Sequence, residues 1–192
     1  MKFVRKELPT RMKVVRLANI AGLIIIVLMF AFNKDRFRAM LHPESDDIVG
    51  RPAPEFAQGT WFNSPPLTLQ KLRGKIVVVD FWTFRCRNCV NVLPDVLDWH
   101  RKYKDRGVAV VAVHSPETEE EASLDALGKF IADNDIEYPV VTDNTFTMWN
   151  RYRVQFWPST FVIDRDGVVR TFHYGELGVS SVKDDIEELL TD

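Results

Sequence analysis

Ile76-Val77-Val78-Val79-Asp80-Phe81-Trp82-Thr83-Phe84-Arg85-Cys86-Arg87-Asn88-Cys89 joins an apolar run to the only two cysteines of the chain. The run over residues 75–81 is continuous rather than alternating, which predicts a strand covered on both faces, as in a parallel sheet. The apolar-periodic segment 92–103 behind it predicts a helix over residues 87–104. The CxxC pair therefore falls between a buried strand and a helix start. A thiol placed there faces free backbone N–H groups and the positive end of the helix macrodipole. Such surroundings lower a thiol pKa from about 8.5 into a range of about 3.5–7.5. The spacing also fits half of a zinc site, but a structural zinc takes four ligands and the sequence has no second CxxC. The two thiols can close a disulfide only with each other, or exchange with another molecule. An inert structural disulfide is the plain alternative.

Working outward, apolar runs alternate with helical periodicity. Residues 50–56, with Pro52 and Pro54, open the folded part, and residues 61–72 read as a short hairpin and a helical turn. A second continuous apolar strand covers 108–113. A helix is expected over 118–133, with Ala122, Leu124, Leu127, Phe130 and Ile131 on its apolar side. The acids Glu117, Glu119, Glu120 and Glu121 suit its first turn. A short strand over 138–141 and a short helix over 145–152 follow. Residues 159–164 and 168–174 form a hairpin about the turn Arg165-Asp166-Gly167, and 180–190 form a closing helix. This order predicts an α/β sandwich with a central mixed sheet.

Residues 17–32 read LANIAGLIIIVLMFAF, with Asn19 the only strongly polar side chain. A membrane-spanning helix needs about 20 apolar residues, with a range of about 17–25. The run reaches 19 residues when Val14, Val15 and a snorkelling Arg16 are included. A cleaved signal peptide is the competing reading, but Phe30-Ala31-Phe32-Asn33 makes a poor cleavage site. Residues 1–16 carry a net charge of +5, which leaves −7 on the rest of the chain. This bias places the N-terminus in the cytoplasm and the body outside. In a Gram-negative cell that is the periplasm, an oxidising compartment. The expected organisation is a basic N-terminus 1–16, an anchor 17–32, a linker 33–49 and a folded domain 50–192. The body has no basic patch interleaved with aromatics, which argues against nucleic-acid binding.

Several motifs together carry a resemblance: Gly74-Lys75, Asp80-Phe81-Trp82, the CxxC, Pro94, His114-Ser115-Pro116-Glu117, Trp157-Pro158 and Asp164-Arg165-Asp166-Gly167. The chain over about residues 50–190 resembles the thioredoxin-fold proteins of the TlpA/ResA-like group, and within it the thioredoxin-like domains of DipZ-type proteins. Residues 118–135 match the helical insertion that separates this group from plain thioredoxins. The resemblance implies that Cys86 is the nucleophile and Cys89 the resolving thiol. It makes Asp80 the buried acid that takes a proton from Cys89, its pKa raised by burial; an acid that only ends the strand is the alternative. It makes Pro158 the cis-proline beside the CxxC, which would open the backbone of Trp157 to strand-like pairing with a substrate; a trans proline at a strand start is the alternative. Trp82, Trp157 and Arg87 are the expected substrate-binding residues. His114, at a strand end on the edge of the CxxC, reads as a solvated loop histidine, with tuning of Cys86 as the alternative, and Pro94 reads as a helix kink. The sequence departs from the group at Arg87-Asn88, between the cysteines. It departs again at Val92, where many ResA-like proteins carry a glutamate.

The function so implied is a membrane-anchored thiol–disulfide oxidoreductase outside the cytoplasm. It would reduce protein disulfides without a bound cofactor or metal, with a membrane electron donor, as in cytochrome c maturation. Two other readings are a thiol peroxidase, from the order Thr83-x-x-Cys86, and a copper chaperone using Cys86, Cys89 and His114. Val79 stands where a peroxiredoxin would have proline, and the cysteine spacing is not that of Sco-type copper proteins.

Overall fold

The computed structural model describes residues 47–191; the expected anchor and most of the expected linker lie outside them. Among the described residues no helix is long and apolar enough to cross a membrane. The elements are β1 (Trp61–Phe62), β2 (Ile76–Trp82), α1 (Arg87–Tyr103), β3 (Val108–His114), α2 (Leu124–Asp133), β4 (Val140–Thr142), α3 (Thr147–Arg151), β5 (Ser159–Ile163), β6 (Val169–Tyr174), α4 (Gly175–Val179) and α5 (Val182–Thr191).

Six strands form one mixed sheet in the order β1-β4-β3-β2-β5-β6. β2 pairs in parallel with β3 and antiparallel with β5, so it has a neighbour on each side. All seven of its residues are buried, as a continuous apolar run requires when both faces of a sheet are covered. Its side chains alternate between two layers. Ile76, Val78 and Trp82 pack with Val92, Val96, Trp99 and Tyr103 of α1, Leu127 and Ile131 of α2, and Val182 and Ile186 of α5. Val77, Val79 and Phe81 face the other layer, with Met148 and Tyr152 at α3. There Phe81, Tyr152 and Phe161 form a ring cluster with centroids 5.0–5.8 Å apart. Ile48 is buried in this layer too, so the packed body takes in residues before Gly50.

The β5–β6 hairpin forms as the sequence predicts. The Asp164 carboxylate accepts from the backbone N–H groups of Asp166 and Val168 at 3.0 and 2.9 Å. Gly167 takes the left-handed conformation, φ 73°, that closes the turn.

Two expectations need correction, and one element is additional. The segment 61–72 is not a hairpin: β1 has two residues and pairs antiparallel with β4, and a single 3₁₀ turn follows at Gln70–Leu72. The second helix begins at Leu124 rather than 118. Ser123 caps it, accepting from the Ala126 N–H at 3.3 Å, while 118–122 is a turn folded around the inward-facing Glu121. A short helix, α4, precedes the closing helix and was not anticipated.

Phe161 has no exposed surface and touches three aromatic rings. Truncating a fully buried phenylalanine costs about 3–5 kcal/mol. Phe161→Ala should lower the unfolding free energy by about that amount, read from urea unfolding followed by tryptophan fluorescence. A loss below about 1 kcal/mol would mean the ring layer is not a close-packed core.

Candidate functional site

The end of β2 and the start of α1 build the site. β2 delivers the chain to the C-terminal edge of its parallel pair, where it turns through Thr83-Phe84-Arg85 into α1. Cys86 is the N-cap of α1, in extended conformation at φ −68°, ψ 110°. Its sulfur accepts the backbone N–H of Cys89 at 3.2 Å, which satisfies one of the free donors of the first turn. Cys86 and Cys89 form a disulfide, with Cα atoms 5.2 Å apart. Cys86 is half-buried, and Cys89 is 3 % exposed beneath it. The reachable sulfur is thus the one at the helix N-terminus. There the macrodipole and the Cys89 N–H stabilise a thiolate.

Trp82 and Trp157 pack in the cluster that holds both cysteines. The Trp157 indole N–H donates to the Ser115 carbonyl at 3.1 Å, which fixes the ring. The Trp157–Pro158 peptide bond is cis. Pro158 precedes β5, and Ser159 pairs with Phe81, so Pro158 lies on the same sheet edge as the CxxC. Arg87 is exposed at the first residue of α1. Pro94 sits inside α1.

Asp80 shares the α1 face of β2 with Val78 and Trp82. It is almost completely buried, and its carboxylate accepts one hydrogen bond, from the Thr160 hydroxyl at 2.8 Å. Burial pushes its pKa up to about 6, and the Thr160 bond opposes this only in part. A carboxyl poised there can accept or release a proton near neutral pH.

His114 is not a solvated loop residue. It ends β3 with no exposed surface, stacked on Phe84 and edge-on to Trp82, both with centroids 5.4 Å away. Burial pushes its pKa down to about 4, although Glu121 pulls it upward. It is therefore neutral at physiological pH. Glu121, read from sequence as a helix-start charge, is 1 % exposed. It accepts from the Thr83 hydroxyl at 2.5 Å and from the backbone N–H groups of Arg85, Glu117 and Thr118 at 2.9–3.0 Å. The signal for it was Ser123, whose N-cap character places the helix start beyond Glu121.

Beside the disulfide runs an open groove of about 730 Å³, lined by Asn88 and residues 172–178. Its rim is apolar and wet: Leu177 is 92 % exposed and Tyr174 43 %, and Phe156, 52 % exposed, lies 5.9 Å from the Tyr174 ring. Among the described residues no group of three His, Cys, Asp or Glu side chains is arranged to hold a metal ion.

A profile of the AhpC/TSA family matches residues 49–172. The DipZ protein of Mycobacterium tuberculosis is 38 % identical over 135 residues, which is 69 % of this chain and 19 % of that protein. The chain thus spans about a fifth of DipZ. The thiol-disulfide oxidoreductase YkuV of Bacillus subtilis is 26 % identical, with 74 % of this chain and 96 % of YkuV aligned. The crystal structure of a putative thiol:disulfide interchange protein DsbE from Chlorobium tepidum superposes with a TM-score of 0.65 at 30 % identity, over 74 % of this chain and 97 % of that one.

The raised pKa of Asp80 has a consequence for stability. The folded state holds a proton that the unfolded state releases near pH 3.8, so stability falls as pH rises from there through about 6, then levels. Asp80→Asn removes this penalty. It should stabilise the oxidised protein at pH 7 by up to about 3 kcal/mol and flatten stability between about pH 4 and 6, read from urea unfolding across pH. An unchanged pH profile would show that Asp80 titrates as an ordinary surface acid.

Proposed function

The chain belongs to the AhpC/TSA family and carries a thioredoxin-like oxidoreductase domain, and from this we propose that it is a membrane-anchored, extracytoplasmic thiol–disulfide oxidoreductase that reduces protein disulfides. The observation that carries the reading is the position of Cys86: half-exposed, N-capping α1, its sulfur held by the Cys89 N–H. In the reduced protein the Cys86 thiolate attacks a substrate disulfide. The substrate S–S bond breaks and a mixed disulfide forms. Asp80 takes the proton of the Cys89 thiol, and Cys89 then attacks Cys86. The substrate leaves as a dithiol and the Cys86–Cys89 disulfide returns. Two electrons must then come from a donor, for which a membrane partner is the proposal.

Trp82, Trp157, Arg87 and Pro158 border this exchange, and the groove beside Asn88 offers the substrate polypeptide apolar contacts. The anchor at 17–32, the periplasmic placement and a service to cytochrome c maturation rest on the sequence pattern and the resemblance. The peroxidase reading gains no support at Thr83, whose hydroxyl donates to Glu121 rather than to Cys86. The copper reading gains none at His114, which is buried in aromatic contacts.

Reduction of a small aryl disulfide by the reduced chain should disappear in Cys86→Ser, while Cys89→Ser should accumulate a mixed disulfide with the aryl thiol, visible as an added mass by mass spectrometry. Equilibration with dithiothreitol buffers should give a reduction potential near or below about −250 mV, as for a thioredoxin-type reductant. A potential near about −120 mV would make the chain an oxidant and overturn the proposed direction.

A further inference from the structure

The Glu121 carboxylate is bound on both oxygens. Oε1 takes the Thr83 hydroxyl at 2.5 Å and the Arg85 N–H at 3.0 Å; Oε2 takes the N–H groups of Glu117 and Thr118 at 2.9 and 3.0 Å and faces the Thr118 hydroxyl at 3.4 Å. One oxygen thus grips the segment that leads into Cys86, and the other grips the loop after β3. The Thr83 hydrogen is committed to Glu121, so His114 Nε2, 3.4 Å from that hydroxyl, is placed to donate to it. We propose that Glu121 is a positioning residue for Cys86: it fixes the Thr83–Arg85 segment, and its buried negative charge, bonded to the backbone N–H of the residue before the nucleophile, biases the cysteine pair toward the disulfide.

The bias follows from the charges around the site. Burial alone would push the Glu121 pKa up, but the Thr83 hydroxyl and the backbone N–H groups outweigh it and hold the group below the usual range. The carboxylate is therefore ionised. His114 beside it is neutral and supplies no compensating charge. The Arg85 guanidinium is spent on exposed Glu120 at 2.6 Å; Arg87 and Glu117 are the other charged neighbours of this segment in the chain. A fixed negative charge near a thiol disfavours the thiolate. It works against the helix N-terminus, weakens the reduced form, and makes the pair a stronger electron donor. The clamp thus deepens the reductant reading, on which it rests.

The test uses the full chain and glutathione; two glutathione molecules close to glutathione disulfide and supply the two electrons and two protons that convert the Cys86–Cys89 disulfide to the dithiol. Exchange in the wild type establishes the redox pair itself; its absence would overturn the underlying reading and not only the clamp. Glu121→Gln, shown folded by circular dichroism, should shift the equilibrium toward the dithiol by about tenfold, which is about 30 mV less negative. The pH midpoint of Cys86 alkylation should fall. Thr83→Val keeps the charge but removes a donor that disperses it, so its alkylation midpoint should rise, and Thr83→Ser should restore the wild-type value. A folded Glu121→Gln within about twofold of wild type would overturn the proposal. Should Glu121→Gln not fold, the threonine pair decides: a rise in Thr83→Val reversed in Thr83→Ser supports the clamp, and no movement overturns it.

Discussion

A strand whose every side chain is buried cannot end in apolar surroundings, because its last backbone groups still need partners. β2 meets this constraint through the residues that follow it. The Trp82 carbonyl accepts from the Ser115 N–H at 3.0 Å, Cys86 turns back onto the Thr83 carbonyl at 3.3 Å, and Glu121 takes the Arg85 N–H. Only then does α1 begin, with a sulfur where a capping oxygen commonly sits. Cys86 stands at the place where a fully buried strand hands its hydrogen bonding to a helix. The sheet order puts the start of β5, and so Pro158, alongside.

Two buried carboxylates flank this junction, and they are shifted in opposite directions. Asp80 has one hydroxyl donor, so desolvation dominates and the acid form is favoured. Glu121 has a hydroxyl and three backbone N–H donors, so hydrogen bonding dominates and the charged form is favoured. Two carboxylates with little exposed surface thus differ in chemistry, through the balance of desolvation against hydrogen-bond donors. One carboxyl is left able to exchange a proton, and the other is left as a permanent charge.

Much of this was legible in the sequence, for local reasons. The apolar runs of β2 and β3, the periodicity of α1 and the Asp164–Gly167 turn each carry their structure in adjacent residues. What was not legible depends on distant partners. β1 is two residues long and exists only because β4 pairs with it. α4 contains Gly175 and Gly178 around an exposed Leu177, and no periodic face announces it. His114 and Glu121 are polar letters whose burial depends on distant residues: Phe84 and Trp82 pack against His114, and Thr83 and Arg85 hydrogen-bond Glu121. The cysteines, Asp80 and Pro158 stand out in the sequence because their positions follow a pattern along the chain; Glu121 bonds to residues 36 and 38 positions before it.

The tryptophans at the site lead in another direction. Trp82 and Trp157 lie in the same packed cluster as the disulfide, and Trp157 also meets Trp149 at 4.3 Å. Separation of the two sulfurs would alter what these indoles pack against. Trp157 is moreover held by an N–H bond to the Ser115 carbonyl, so it is not free to swing away. Opening of the sulfur–sulfur bond therefore changes the surroundings of two indoles at once, and the intrinsic emission of the chain is the place to look for it, with no dye added.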